Sequence, residues 1–107
     1  MIILRDAMFT SQARRFAILA AKAGVPTMAG DSPYPEAGGF ASYGPNTPDI
    51  VRACAVMVDK ILKGTKPADI PVEQPQKFDL VVNRATAKAL GITIPQIVLL
   101  RADRVID

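Results

Sequence analysis

The opening stretch of the sequence, MIILRDAMFTSQARRFAILAAKAGVPTMAG at residues 1–30, decides the fold class. Met1–Leu4 is a short apolar run, which favours a buried strand. Ser11 is a candidate N-cap for a helix over residues 12–23, whose apolar side chains recur at helical spacing. A second short run, Val25–Ala29, predicts another strand. Strand, helix and strand in this order are typical of a parallel crossover, so we predict an α/β protein.

The segment after the second predicted strand is rich in Gly and Pro. Residues 30–39 contain three Gly and two Pro, which argues against regular structure and predicts a loop. Loops at the carboxyl ends of parallel strands bind ligands in open α/β sheets. Phe40–Gly44 then predicts a brief strand, and Thr47 is a candidate cap for an amphipathic helix that ends at Gly64.

The last third of the chain continues the alternation of strand and helix. Residues 65–76 carry three Pro without an apolar period and predict an extended connector. Phe78–Val82 predicts a strand, and Asn83 is a candidate cap for a helix over residues 84–90. A final short helix is predicted over Gln96–Ala102. The sequence therefore predicts three or four short strands and three or four helices in one domain.

Composition excludes several classes of function. The chain has 107 residues, half of them hydrophobic, and a formal net charge of +3 without a basic stripe, so we expect no nucleic-acid partner. It has no His and one Cys, so it lacks the ligands of a zinc site and the imidazole of Ser–His or Cys–His catalysis. The apolar run Met1–Leu4 is too short for an export signal or a membrane span. We expect no metal, no cofactor and no membrane span, and we expect Cys54 to be a small core residue.

Three long stretches resemble one protein family. Residues 36–46, 58–75 and 77–95 are similar to segments of ABC transporter substrate-binding proteins of the tryptophan and tyrosine type, with Arg84 and Ala85 where Leu and Lys are usual. This resemblance implies a partial periplasmic-binding-protein fold, which is α/β, type I and Rossmann-like. Proteins of that family have two lobes that close like a hinge over a ligand. They are much longer, so the chain resembles their C-terminal segment, which contributes to both lobes.

The resemblance also assigns parts of the chain to lobes. Residues 1–29 correspond to a strand–helix–strand unit of the second lobe, and residues 40–64 to a strand and helix that return into the first. Residues 65–76 correspond to a connector, and residues 77–107 to a strand and C-terminal helices of the second lobe. A periplasmic location is implied, although a chain produced from Met1 as written would stay in the cytoplasm.

The candidate site residues follow from the chemistry of an amino-acid-like ligand, which needs an ammonium acceptor, carboxylate donors and flat apolar walls. Asp6 and Asp31 follow the two N-terminal strands and could accept from an ammonium group, or could instead be helix caps or solvated carboxylates. Ser42 and Tyr43 lie where the resemblance places a crossing segment. The aromatic candidates could stack on a ligand ring or pack against their own loops. The expected ligand-binding residues are Asp6, Phe9, Thr10, Asp31, Tyr34, Ser42 and Tyr43.

Three hypotheses on function stay open. The first is capture of a small solute, such as an amino acid, for an ABC permease, with weak or no binding by the isolated chain because it supplies only part of each wall. The second is a truncated, non-binding product stabilised as a homodimer through exposed strand edges and an uncovered helix face. The third is a small cytosolic enzyme or regulatory domain that uses Asp6 and Asp31. The resemblance favours the first, so we expect no enzyme activity.

Overall fold

One mixed sheet of five strands organises the fold. The computed structural model describes residues 1–107, and the strands follow sequence order across the sheet. The first three strands are parallel, the third and fourth are antiparallel, and the fourth and fifth are parallel. The strands are β1 (Ile2–Ile3), β2 (Met28–Ala29), β3 (Ala41–Pro45), β4 (Phe78–Asn83) and β5 (Arg104–Ile106). The α/β prediction is confirmed. One strand, β5, was not predicted because it is short and begins with a charged residue.

Six helices and one 3-10 turn connect the strands. The helices are α1 (Ala7–Ser11), α2 (Ala13–Lys22), α3 (Pro33–Glu36), α4 (Thr47–Leu62), α5 (Arg84–Ala89) and α6 (Gln96–Arg101), and the 3-10 turn is Pro67–Asp69. Helix α2 between β1 and β2 is the parallel crossover that the opening stretch predicts. Asn83 caps α5 as predicted, since its Oδ1 accepts from the backbone N–H of Thr86 at 3.0 Å.

The prediction that Ser11 caps the first long helix is wrong. Ser11 is the last residue of the short helix α1, and its hydroxyl donates to the carbonyl of Met8 at 2.9 Å. The cap of α1 is Asp6, whose Oδ1 accepts from the backbone N–H of Met8 at 2.8 Å. A carboxylate at this position satisfies a free N–H of the first turn, so the chain turns helical earlier than the apolar spacing indicates.

Two further boundaries differ from the sequence prediction. Residues 30–39 are not all loop, because Pro33 sits in the first turn of α3, where its fixed backbone angle and missing N–H suit a helix start. Helix α4 is capped by Asn46 and not by Thr47, since the Asn46 side chain accepts from the backbone N–H of Asp49 at 3.1 Å. Both differences concern the start of a helix. Pro favours the first helical turn, and Asn and Thr are both suitable N-caps, so the sequence alone does not fix the first helical residue.

The main buried cluster lies between α2, α3 and the sheet. Ala17 of α2, Ala29 of β2 and Tyr34 of α3 are almost fully buried, with Ile3 and Phe16 packed against them. Two of the three buried residues are Ala, so the helix lies close to the sheet and the Tyr34 ring provides most of the buried volume. This core fixes the loops that follow β1 and β2.

Helix α4 stands away from the sheet. None of its residues is buried. The molecule measures 55 × 30 × 19 Å and its radius of gyration is 16.9 Å, whereas a compact domain of this length has a radius of about 13 Å. The chain therefore does not fold as one sphere, and α4 with the following connector extends from the sheet.

Helix α4 is nevertheless apolar on two sides. Val51, Val58 and Leu62 recur at helical spacing and are 62%, 53% and 82% exposed. Met57 lies toward a groove formed with the connector, and Cys54 in the same groove is exposed rather than in a core, which corrects the sequence prediction. A helix with apolar residues on most of its circumference is typical of a buried element. None of the helices combines the length and apolar content required to cross a membrane.

Candidate functional site

One edge of the sheet collects the polar loops. Strands β1, β2 and β3 are parallel, so their carboxyl ends share an edge, and the amino ends of β4 and β5 meet there because β4 runs opposite to β3. Asp6, Asp31 and Asn46 each come shortly after one of the three parallel strands. This is the edge at which open α/β sheets bind ligands.

The close approach of β2 and β3 at this edge requires a glycine. A Cβ on Gly44 would lie 2.0 Å from the carbonyl oxygen of Gly30, far inside van der Waals contact. Any larger residue would push the end of β3 away from the loop that follows β2. Gly44 therefore sets the spacing of the loops that carry Asp31 and Asn46.

Asp31 and Thr10 form the first polar contact of the site. The Thr10 hydroxyl donates to Asp31 Oδ2 at 2.9 Å, and Asp31 is 9% exposed. They line a cavity of about 10 Å³ together with Phe9 and Tyr34. A cavity of that size holds about one water molecule. Four predicted site residues thus lie together, but within this chain they enclose no space for a solute.

The two aromatic residues of this cavity that the sequence predicted as site residues, Phe9 and Tyr34, are engaged in packing. Tyr34 is 2% exposed, and its hydroxyl lies 2.6 Å from the Thr27 hydroxyl. Phe9 packs edge-to-face on Phe16, with ring centroids 5.0 Å apart. Asp6, as the cap of α1, is also engaged within its own loop. Tyr34 therefore has no free ring face, and the structure places it in the core.

Ser42 and Tyr43 point to opposite faces of the sheet, as adjacent strand residues must. Ser42 is 1% exposed, and its hydroxyl has no hydrogen-bond partner. Tyr43 is 56% exposed and stacks on Phe78 of β4, with ring centroids 5.7 Å apart. The sequence predicted these two residues as one contact point, but the strand geometry separates them.

A larger polar cleft lies beside the small cavity, between α3, the start of α4, β4 and the start of β5. Its volume is about 530 Å³, within the range of about 300–1,000 Å³ that is common for small-molecule sites. Three carboxylates and two cationic side chains line it, so the cleft carries a formal net charge of −1. The charged lining residues are Glu36, Lys77, Asp79, Asp103 and Arg104.

Asp79 is the most constrained carboxylate of the polar cleft. Its side chain is 12% exposed. Oδ2 accepts from Asn46 Nδ2 at 2.5 Å, whereas Oδ1 is buried without a hydrogen bond. Asn46 can donate only in this direction, because its own Oδ1 accepts from the N–H of Asp49 as the cap of α4. The helix cap therefore orients the amide toward the carboxylate.

The other two carboxylates of the cleft have partners inside the chain. Glu36 pairs with Arg104, which joins α3 to β5. Asp103 Oδ2 accepts from the backbone N–H of Leu80 at 2.8 Å and ties the start of β5 to β4. These contacts fix the walls of the cleft.

None of the polar cleft residues was predicted from the sequence as a site residue. A signal existed at Asp79, because a single carboxylate interrupts the apolar strand Phe78–Val82. The hydrogen bond between Asn46 and Asp79 could not be predicted from the local sequence, since the two residues lie far apart in the chain. The structure contains no group of His, Cys, Asp and Glu side chains that could hold a metal ion.

Comparison with known proteins identifies the family. A sequence model described as ABC transporter substrate binding protein matches residues 1–106. The chain belongs to this family. The resemblance predicted from the sequence is thereby confirmed. A search of curated protein sequences finds no match.

Solved structures share the fold. A conserved domain protein from Vibrio cholerae is 34% identical with a TM-score of 0.91, and covers 97% of this chain and 35% of its own. A Streptococcus pneumonia ABC domain in complex with L-Trp is 33% identical with a TM-score of 0.89, over 98% and 36% of the two chains. A ligand-free, open substrate-binding protein with adhesive properties from Clostridium difficile is 27% identical with a TM-score of 0.63, over 98% and 35%.

The comparisons also give the extent of the match. The chain spans about a third of the length of each of these three proteins. The partial periplasmic-binding-protein fold predicted from the sequence is confirmed by the high structural similarity over nearly the whole chain.

Proposed function

We propose that this chain forms the C-terminal part of the solute-binding component of an ABC transporter, and that its polar cleft is one wall of the solute site. The observation that carries this proposal is the position of α4. The helix leaves the sheet at the edge where the polar loops meet, and its apolar side chains Val51, Val58 and Leu62 are exposed. This is the arrangement of a chain that crosses from one lobe into another.

The lobe assignment follows the same geometry. Residues 1–29 and 77–107 form most of the sheet and belong to the second lobe, and α4 with the connector at residues 65–76 belongs to the first. Strand β3 pairs with β2 on one side and β4 on the other, so we place the crossing after β3 rather than before it. The paired ends of β3 and β4 would then form part of the hinge.

The ligand class is a small zwitterion such as an amino acid. The Streptococcus pneumonia structure holds L-Trp, and the polar cleft offers both carboxylates and an Arg side chain. Catalysis is not part of this proposal, because the candidate acid–base pair is absent: Asp6 is a helix cap, Asp31 is a hydroxyl acceptor, and no contact pairs them. Family membership supports a periplasmic location and delivery to an ABC permease.

The isolated chain is expected to bind weakly. Ligand pockets bury most of their ligand, and this chain provides one wall. The apolar stripe of α4 and the free edges of β1 and β5 also favour pairing with a second copy, so we propose that the isolated chain forms a homodimer.

A chimaera tests the proposed function. The first two thirds of the Streptococcus pneumonia protein would be joined to residues 1–107, and L-tryptophan binding would be measured by calorimetry for the chimaera and for the chain alone. We expect at least a hundredfold tighter binding by the chimaera. A chimaera that shows native-like circular dichroism but does not bind L-tryptophan would contradict the proposal, and so would equal binding by the chain alone.

A further inference from the structure

We propose that the Asp79 carboxylate is the ammonium-binding group of the polar cleft, and that Lys77 occupies this group when no ligand is bound. This inference rests on the proposed function and names the group that selects the ligand. The starting observation is a buried carboxylate with one oxygen that no donor satisfies.

The two oxygens of Asp79 differ in their surroundings. Oδ2 accepts from Asn46 at 2.5 Å, while Oδ1 is buried and has no hydrogen bond. A buried carboxylate oxygen that accepts no hydrogen bond carries an uncompensated desolvation penalty. A cation that donates to this oxygen offsets the penalty. Since the Asn46 amide is oriented by its role as the cap of α4, it holds Oδ2 and leaves Oδ1 as the free acceptor.

The cation that pairs with the free oxygen is exposed to solvent. Lys77 Nζ lies 4.0 Å from Asp79 Oδ1, which is beyond hydrogen-bond distance, and the Lys77 side chain is 69% exposed. Lys77 directly precedes β4 at the end of the connector. Its ammonium group is held by charge alone, so a ligand ammonium that approaches within hydrogen-bond distance would replace it.

The other carboxylates of the cleft are less suited to this role. Glu36 is paired with Arg104, and Asp103 accepts from the N–H of Leu80. Asp79 is also the least exposed carboxylate for which an ion pair is formed, at 12% against 50% or more for the others. A charge interaction in such a site is screened least by solvent. The cleft therefore has one carboxylate that is buried, oriented and short of a donor.

The test uses the 107-residue chain, whose size suits amide NMR. Nitrogen-15-labelled protein would be titrated with L-tryptophan, with tryptamine, which keeps the ammonium group, and with indole-3-propionate, which keeps the carboxylate. The Asn46 side-chain amide and the Asp79 backbone amide report on the site directly. We expect both to shift with L-tryptophan and tryptamine, and at least tenfold less with indole-3-propionate at equal concentration.

Three variants separate the site from general charge effects. Asp79→Asn is expected to reduce the tryptamine-induced shifts at least tenfold. Asp59→Asn removes the same charge from an exposed position on α4 and is expected to leave them unchanged. Lys77→Gln removes the competing cation and is expected to lower the tryptamine concentration at half-saturation at least threefold.

Several outcomes would overturn the inference. They are equal shifts in Asp79→Asn and the native chain, equal shifts with indole-3-propionate and tryptamine, no effect of Lys77→Gln, or no shift near the cleft with any probe. The chimaera decides the proposed function independently. A chimaera that binds L-tryptophan as well with Asp79→Asn as without it would keep the function and reject the role of Asp79.

Discussion

The Asn46 side chain joins the start of α4 to β4, because its Oδ1 accepts from the Asp49 N–H at 3.1 Å and its Nδ2 donates to Asp79 Oδ2 at 2.5 Å. One residue thus follows β3 directly, caps the helix and orients a buried carboxylate. Any movement of α4 relative to the sheet acts on this amide. The contact therefore couples the position of the helix to the polar cleft.

Replacing Asn46 separates its two roles. Asn46→Ala removes the cap and the donor to Asp79, and we expect it to lower the free energy of unfolding by about 2–5 kcal/mol, the sum of a lost cap and a lost bond to a charged group. Asn46→Ser keeps a capping oxygen and should cost less. Urea unfolding followed by circular dichroism measures both. Equal losses for the two variants would argue against the capping role, and no loss for Asn46→Ser would argue against the bond to Asp79.

Tyr34 and Thr27 form a buried hydroxyl pair, with oxygens 2.6 Å apart. Tyr34→Phe removes one partner and leaves the Thr27 hydroxyl, at 2% exposure, without it. We expect a loss of about 1–3 kcal/mol in the free energy of unfolding. Tyr43→Phe, at a half-exposed position, is the matched control and should change stability by less than about 0.5 kcal/mol. Similar effects of the two variants would contradict this account of the core.

Gly44 and Gly24 distinguish steric contact from backbone strain. Gly44→Ala would place a Cβ 2.0 Å from the Gly30 carbonyl oxygen, so we expect a loss of about 3 kcal/mol or more as the strands shift. Gly24 has a φ of +65° and open space around it, so Gly24→Ala should cost about 1 kcal/mol. Thermal unfolding of both variants checks the order. A smaller loss for Gly44→Ala than for Gly24→Ala would mean that the strands separate easily.

The homodimer proposal depends on the exposed stripe of α4. The stripe includes Val51, Val58 and Leu62. We expect the chain to elute as a dimer at micromolar concentration in size-exclusion chromatography with light scattering. The variant Val58→Lys with Leu62→Lys should elute as a monomer, whereas Lys60→Glu, on the polar side of α4, should not change the mass. A monomeric native chain with full helix content would contradict the proposal.

The sequence predicted those parts of the fold that depend on local spacing. The crossover around α2 follows from the apolar period of residues 12–23, and the cap of α5 follows from Asn83. Starts of helices were less predictable, because Asp6 and Ser11 are both good caps and only the course of the chain decides between them. Strand β5 gave too short a pattern to be recognised.

The candidate site was predicted only in part, for a similar reason. Thr10 and Asp31 do meet, since each lies in the segment that follows a strand whose direction was predictable. The polar cleft depends on the antiparallel pairing of β3 with β4, which brings Asn46 beside Asp79 across a long stretch of chain. Neither residue type nor spacing encodes that pairing.

The register of β3 and β4 pairs Pro45 with Phe78. The chain therefore leaves the sheet and returns to it at neighbouring positions. Residues 46–77, which include α4, form one long insertion between these two positions. A short turn that joins Pro45 to Phe78 would convert the antiparallel pair β3 and β4 into an ordinary β-hairpin. The pairing of the other strands does not depend on the removed segment. The sheet could thus be engineered as a small stand-alone scaffold, in which the insertion at residues 46–77 is exchangeable.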